Sequence, residues 1–170
     1  MKAELSLKRG LTEVWRSWEV GHYDHALAKL DRLIESSPAN APLLIMRAQL
    51  IQLQESPDEA NPSYDDALAA LKLATALDAQ SPVALIELGY FLYALADDAK
   101  AASKSFRKAI PVCRDLLREA LLGQAKALAE LDREAEALAC LVEAYSLGAH
   151  NGKSGGEDVL EQLRTLQRVP

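Results

Sequence analysis

The sequence predicts an all-α protein, an antiparallel helix-pair solenoid closed by a short C-terminal helix. Three observations predict it. The apolar share is 49 % and consists mostly of Ala and Leu, with aromatics at only 5 %; strong helix formers at that density favour helix throughout. Four segments repeat one another at a spacing of 34 to 41 residues, a period that signals stacked supersecondary units. Within the segments, apolar residues recur at i, i+3, i+4 and i+7 on two stretches parted by a turn, which is one buried stripe per helix.

The first repeat, about residues 7–38, has a weak leading helix around Val14, then Gly21, Tyr23, Ala26, Leu30 and Leu33, with a stop at Pro38. Gly21 suits a helix C-terminus. The second, 41–78, carries Leu44, Ala48 and Ile51, a long break through Glu55–Pro62, then Ala67, Leu71 and Ala74. That break reads as a surface loop, where insertions are tolerated. The third, 82–110, is the clearest: Leu85, Leu88, Gly89 and Leu92, a turn at Asp97-Asp98, then Ala102, Phe106 and Ala109. The paired aspartates fit the cap of the next helix. Pro38, Pro42 and Pro82 stand where new helices begin, because proline is tolerated in a first turn and not later. By the same rule Pro111 marks the boundary between the third pair and a long helix over about 112–131. The fourth repeat, 112–147, then has Leu121, Ala125 and Leu128, a turn at Leu131-Asp132-Arg133, and Ala137, Leu141 and Ala144. These repeats make a domain over 1–150. A glycine-rich connector from Gly148 to Gly156 follows, and in 151–170 Val159, Leu160, Leu163 and Leu166 form an amphipathic stripe. It is expected to cap the last repeat, whose outer apolar face would otherwise be bare.

Composition excludes several classes of function. Lys+Arg at 19 against Asp+Glu at 25 gives a net charge of −6, so the basic footprint that neutralises a phosphate backbone is missing and no nucleic-acid partner is expected. No apolar run approaches the ~20 residues of a membrane span. Cys113 and Cys140 are too few for a disulfide framework and read as reduced thiols. With no apolar stretch of signal-peptide length at its start, the expected location is cytoplasmic.

The repeats resemble a known family. Gly21-x-Tyr23-x-x-Ala26…Leu30…Leu33…Pro38, Leu85-x-x-Leu88-Gly89 and Ala102-x-x-x-Phe106-x-x-Ala109 are similar to the two helix signatures of the tetratricopeptide repeat (TPR). The resemblance covers about residues 7–147. It departs at Glu13, Arg47 and Gln124, where the family usually has leucine. The resemblance implies a right-handed superhelix, with the first helix of each pair lining a concave groove, and a role in binding other proteins. The residues one and four after each small core position would then face the groove: Trp15 and Trp18, Gln49 and Gln52, Tyr90 and Tyr93, and Lys126 and Ala129. Aromatic rings there suit a protein partner, because they bury large area at low entropic cost.

No motif supports catalysis, and no cofactor is expected. Gly152-Lys153-Ser154 lacks the leading glycine and the preceding strand of a phosphate loop. His22-x-x-His25 with Asp24 falls short of the three or four ordered ligands that zinc requires and reads as a solvated turn. No serine or cysteine accompanies a recognisable base. TPR grooves that grip a C-terminal carboxylate use Lys, Arg and Asn; here Trp, Gln, Tyr and Glu87 dominate, with Lys126 the main cation and Lys8 a second. An apolar or amphipathic segment of another protein is therefore the expected ligand. The expected function is that of an adaptor, assembly factor or small chaperone. The alternatives are a metal-binding protein or enzyme around His22 and His25, and a structural subunit that self-assembles.

Overall fold

The computed structural model describes residues 2–54 and 62–148. Among them are seven α-helices and no strand: α1 (Lys2–Glu19), α2 (Tyr23–Ser36), α3 (Ala41–Gln52), α4 (Tyr64–Leu77), α5 (Pro82–Ala94), α6 (Ala99–Glu130) and α7 (Glu134–Gly148). The chain divides into two compact units, one up to residue 109 and one from residue 110 onward. The expected capping segment, 151–170, and the enlarged loop at 55–61 lie outside the described residues.

Local chemistry sets the helix ends. Asn40 and Ser81 accept hydrogen bonds from the amides of Leu43 and Ala84, and Pro42 and Pro82 follow in the first turns of α3 and α5. Proline lacks only a donor that has no intrahelical acceptor there. Ser63 and Asp66 form a reciprocal capping box at the start of α4. Asp98 caps α6, accepting from the amide of Ala101 at 2.8 Å. Gly21, Asp97 and Asp132 alone among the described residues have positive φ, at 77°, 49° and 57°. Each lies five residues before the buried alanine of its repeat, Ala26, Ala102 or Ala137, so one left-handed residue turns three of the four pairs. At Gly21 and Asp132 the following amides, of His22 and Arg133, reach back to the carbonyls of Ser17 and Leu128, closing the turn around the orphan carbonyls of the preceding helix.

In the first unit a core forms around Val14, Ala26, Leu30, Ala48, Leu50, Ile51, Leu71 and Phe91. Zero or near-zero exposure at Ala26, Ala48, Ala67, Ala74 and Ala102 shows why small residues recur: they let helix backbones approach closely. At the third repeat the approach is tightest. A Cβ on Gly89 would lie 2.6–2.9 Å from three atoms of the Phe106 ring. The buried hydroxyl of Ser105 donates to the Leu85 carbonyl at 2.8 Å, tying α6 to α5. In the second unit Leu121, Ala125, Leu128, Ala137, Leu141 and Ala144 form a separate cluster, the stripes expected of the fourth repeat.

Several expectations need correction. Pro111 does not separate two helices: α6 runs unbroken from Ala99 to Glu130 with Pro111 inside it. Proline there forfeits the bond to the Arg107 carbonyl. Both residues are exposed, so water can satisfy that carbonyl and the helix continues. Pro38 lies in the link before α3 rather than in its first turn. Leu88, Leu92 and Phe106 are half-buried instead of buried, and Phe91 is the deepest large side chain of α5. The Phe91 ring meets Tyr64 edge-on at 6.4 Å, so the stripe of α5 is centred on Ala84, Leu85 and Phe91.

Candidate protein-binding face

Three first helices of the first unit, α1, α3 and α5, carry six of the eight residues expected to face a groove. On α1, Trp15 and Trp18 are a turn apart and their rings stack, with centroids 5.3 Å apart and planes at 26°. Their roles differ. Trp18 packs against the core cluster, while Trp15 is 47 % exposed. The inner ring thus anchors the outer one and lowers the entropy that Trp15 would lose on binding.

On α3, Gln49 and Gln52 are half-buried. Gln52 Nε2 donates back to the Ala48 carbonyl at 3.1 Å. Gln49 Nε2 donates to Glu87 Oε1 at 2.9 Å, joining α3 to α5 across a sequence separation of 38 residues. Residues three apart share a helix face, so this bond places the Gln49–Gln52 face of α3 beside the Glu87–Tyr90 face of α5. Tyr90 and Tyr93 are 61 % and 64 % exposed. Tyr90 also rests on the ring of Phe106, edge-on, with centroids 5.1 Å apart. The other two lie on the part of α6 in the second unit, where Lys126 is exposed and Ala129 is half-buried against that unit's core.

Two contacts escaped the sequence reading. One is the Gln49–Glu87 bond, whose signal was the repeat register that puts both residues on first-helix faces. The other explains a departure from the family pattern: Arg47 stands where leucine is usual, and its Nε donates to Asp31 Oδ1 of α2 at 2.7 Å. A half-buried ion pair thus replaces an apolar contact between successive repeats.

The histidine constellation is peripheral. His22, Asp24 and His25 line an open cleft of about 470 Å³ with Gly21, Tyr23 and Gln54. Gln54 Nε2 donates to Asp24 Oδ1 at 2.7 Å. Among the described residues no three His, Cys, Asp or Glu side chains converge as a metal site would require. Cys113 and Cys140 are half-buried free thiols. No helix of the described residues is long and apolar enough to cross a membrane.

Solved structures share this architecture. The crystal structure of MamA protein matches with a TM-score of 0.52 at 17 % identity, over 94 % of this chain and 89 % of that one. A thermophilic TPR protein of Thermus thermophilus matches with a TM-score of 0.51 at 18 % identity, over 92 % of this chain and 78 % of that one. The fold is that of the tetratricopeptide repeat. No protein-family model and no curated protein matches the sequence. The TPR pairing is accordingly α1 with α2, α3 with α4, α5 with the first part of α6, and the rest of α6 with α7.

Proposed function

We propose that this TPR-like chain is a non-enzymatic protein-binding module that receives a segment of another protein on the first-helix faces of its first unit. The observation that carries the reading is the exposure of Trp15, Tyr90 and Tyr93 on α1 and α5. None of the three is required to fill the core, and each presents a large, rigid surface of the kind that dominates binding energy. The polar groups beside them are Gln49, Gln52 and Glu87, a set without the cations that grip a terminal carboxylate. An apolar or amphipathic segment, with polar edges to meet the glutamines, suits this face. An adaptor, assembly factor or small chaperone of the cytoplasm would act in this way.

The test is affinity capture from the native lysate with the wild type and with Tyr90→Ala/Tyr93→Ala, followed by reconstitution of the retained protein and titration. The double variant should weaken binding by roughly 2 kcal/mol or more if both rings are hot spots. Wild-type affinity in a folded double variant would remove the tyrosines from the site. Stoichiometric zinc on the purified protein would favour instead the reading around His22 and His25.

A further inference from the structure

The polar surface between α3 and α5 has a one-sided chemistry. Each of these helices carries a single charged residue, Arg47 on α3 and Glu87 on α5. They do not pair, because Arg47 Nε donates to Asp31 Oδ1 of α2 at 2.7 Å. The ion pairs among the described residues are Arg9–Glu13, Arg47–Asp31 and Arg133–Glu136, and Glu87 belongs to none of them. Glu87 is nevertheless half-buried. Among the described residues its carboxylate accepts only from the neutral amide of Gln49, Nε2 to Oε1 at 2.9 Å. A carboxylate drawn partly out of water without a counter-ion is unfavourable, and a cation arriving from outside relieves it.

The glutamines beside it point the same way. What each amide touches fixes its orientation. Turning the Gln49 amide over would set its oxygen against the Glu87 carboxylate. Turning that of Gln52 would set its oxygen against the Ala48 carbonyl, to which its Nε2 donates. Both amide oxygens are therefore left as acceptors, and no donor of the described residues meets either. With the second oxygen of Glu87 they form a surface that accepts hydrogen bonds and carries negative charge. Three residues on from Glu87, and so on the same helix face, stands the exposed ring of Tyr90, followed by that of Tyr93. Aromatic faces attract cations as carboxylates do. We infer that the segment bound on this face is basic as well as apolar: it brings an arginine or lysine whose cation meets Glu87 beside Tyr90 and donates to the glutamine oxygens. The inference rests on the docking face proposed above and specifies its ligand. Acidic segments and purely apolar ones are disfavoured, since each would bury Glu87 further without a counter-charge.

Selection of a random peptide library on the purified full chain tests this. Lysine and arginine should be enriched among the peptides that the wild type retains. That enrichment should vanish on Glu87→Gln, which keeps an acceptor for Gln49 and removes only the charge, while apolar enrichment persists. For the tightest peptide, replacing its basic residue by methionine should weaken binding to the wild type about ten-fold and binding to Glu87→Gln hardly at all. Wild-type affinity should also fall with added salt, a readout that needs no variant to fold. Retained peptides without basic enrichment would overturn the inference. So would an equal loss on both proteins, or affinity that is insensitive to salt. Peptides whose affinity is indifferent to Tyr90→Ala/Tyr93→Ala, or the retention of none, would instead remove the docking face itself and the inference with it.

Discussion

Replacing Gly89 by alanine offers a sharp test of how the third repeat is packed. Elsewhere in a helix the change is favourable, because alanine loses less backbone entropy and gains about 0.5–1 kcal/mol. At position 89 the new methyl would sit 2.6 Å from Cε1, 2.8 Å from Cζ and 2.9 Å from Cδ1 of Phe106. Carbon atoms rest at about 3.5–4.0 Å, so the ring must retreat by roughly 1 Å. It is not free to do so: Tyr90 lies against its edge, and the hydroxyl of Ser105 holds α6 to the Leu85 carbonyl. Overpacking of this kind costs about 1–3 kcal/mol. The helix gain offsets part of it, leaving a net loss of about 1 kcal/mol or more.

Gly123 supplies the control. It lies inside α6, and an added Cβ would meet nothing within 4 Å, so Gly123→Ala should stabilise by about 0.5–1 kcal/mol. Two chemically identical changes should thus have opposite signs. Urea unfolding followed by circular dichroism reports the sum. Hydrogen exchange at α5 and in the second half of α6 reports each unit by itself, since repeat units open separately. Phe106→Leu combined with Gly89→Ala should be more stable than the sum of the single changes, because the leucine vacates the ring's space. Stabilisation by Gly89→Ala alone, equal to that at position 123, would refute the close approach of α5 and α6.

Further outcomes follow from the helix ends and the ion pair. The Asp66 carboxylate is held below the ordinary range by the Ser63 amide, then by the Ser63 hydroxyl, with a smaller contribution from Arg47. Its folded pKa lies below the unfolded one, so the contribution is complete above the ordinary aspartate range and is lost as pH falls through the depressed value. Acid titration of stability should show Asp66→Asn with a shallower loss than the wild type, and Ser63→Ala should cost about 1 kcal/mol at neutral pH. For Asp31 and Arg47, both partly exposed, a double-mutant cycle with Asp31→Asn and Arg47→Met should give a coupling of about 0.5–1 kcal/mol that shrinks with added salt. At the left-handed turns, Gly21→Ala should destabilise by about 1 kcal/mol through backbone strain alone, since a Cβ there meets no other atom. Asp132→Gly should move thermal stability the other way, by up to about 1 kcal/mol.

What the sequence shows of this protein, and what it hides, follows from the range of the interactions involved. Ala26, Ala48, Ala67, Ala125 and Ala137 announce themselves because burial of a small residue every 34 to 41 positions leaves a periodic trace. Asp97 and Asp132 are less visible: neither is glycine, and only alignment with Gly21 reveals that all three need a left-handed backbone. Pro111 misleads because it lies on a solvent-facing turn of α6, where its missing hydrogen bond is cheap. The site divides along the same line. Exposure of Tyr90 and Tyr93 follows from helical periodicity within α5. The contact of Tyr90 with Phe106 and the bond from Gln49 to Glu87 depend on how separate helices meet, which the periodicity of a single helix does not encode. That difference bears on the binding face itself. Tyr93 is the freer ring, so its replacement should act on binding almost alone. Tyr90 lies outside the core but braces the half-buried Phe106 ring, so its replacement should lower both affinity and, to a lesser degree, the stability of α5. A Tyr90→Phe change, which keeps the edge contact and removes only the hydroxyl, separates the two effects: stability should return to wild type, and any affinity still missing belongs to a hydrogen bond with the partner.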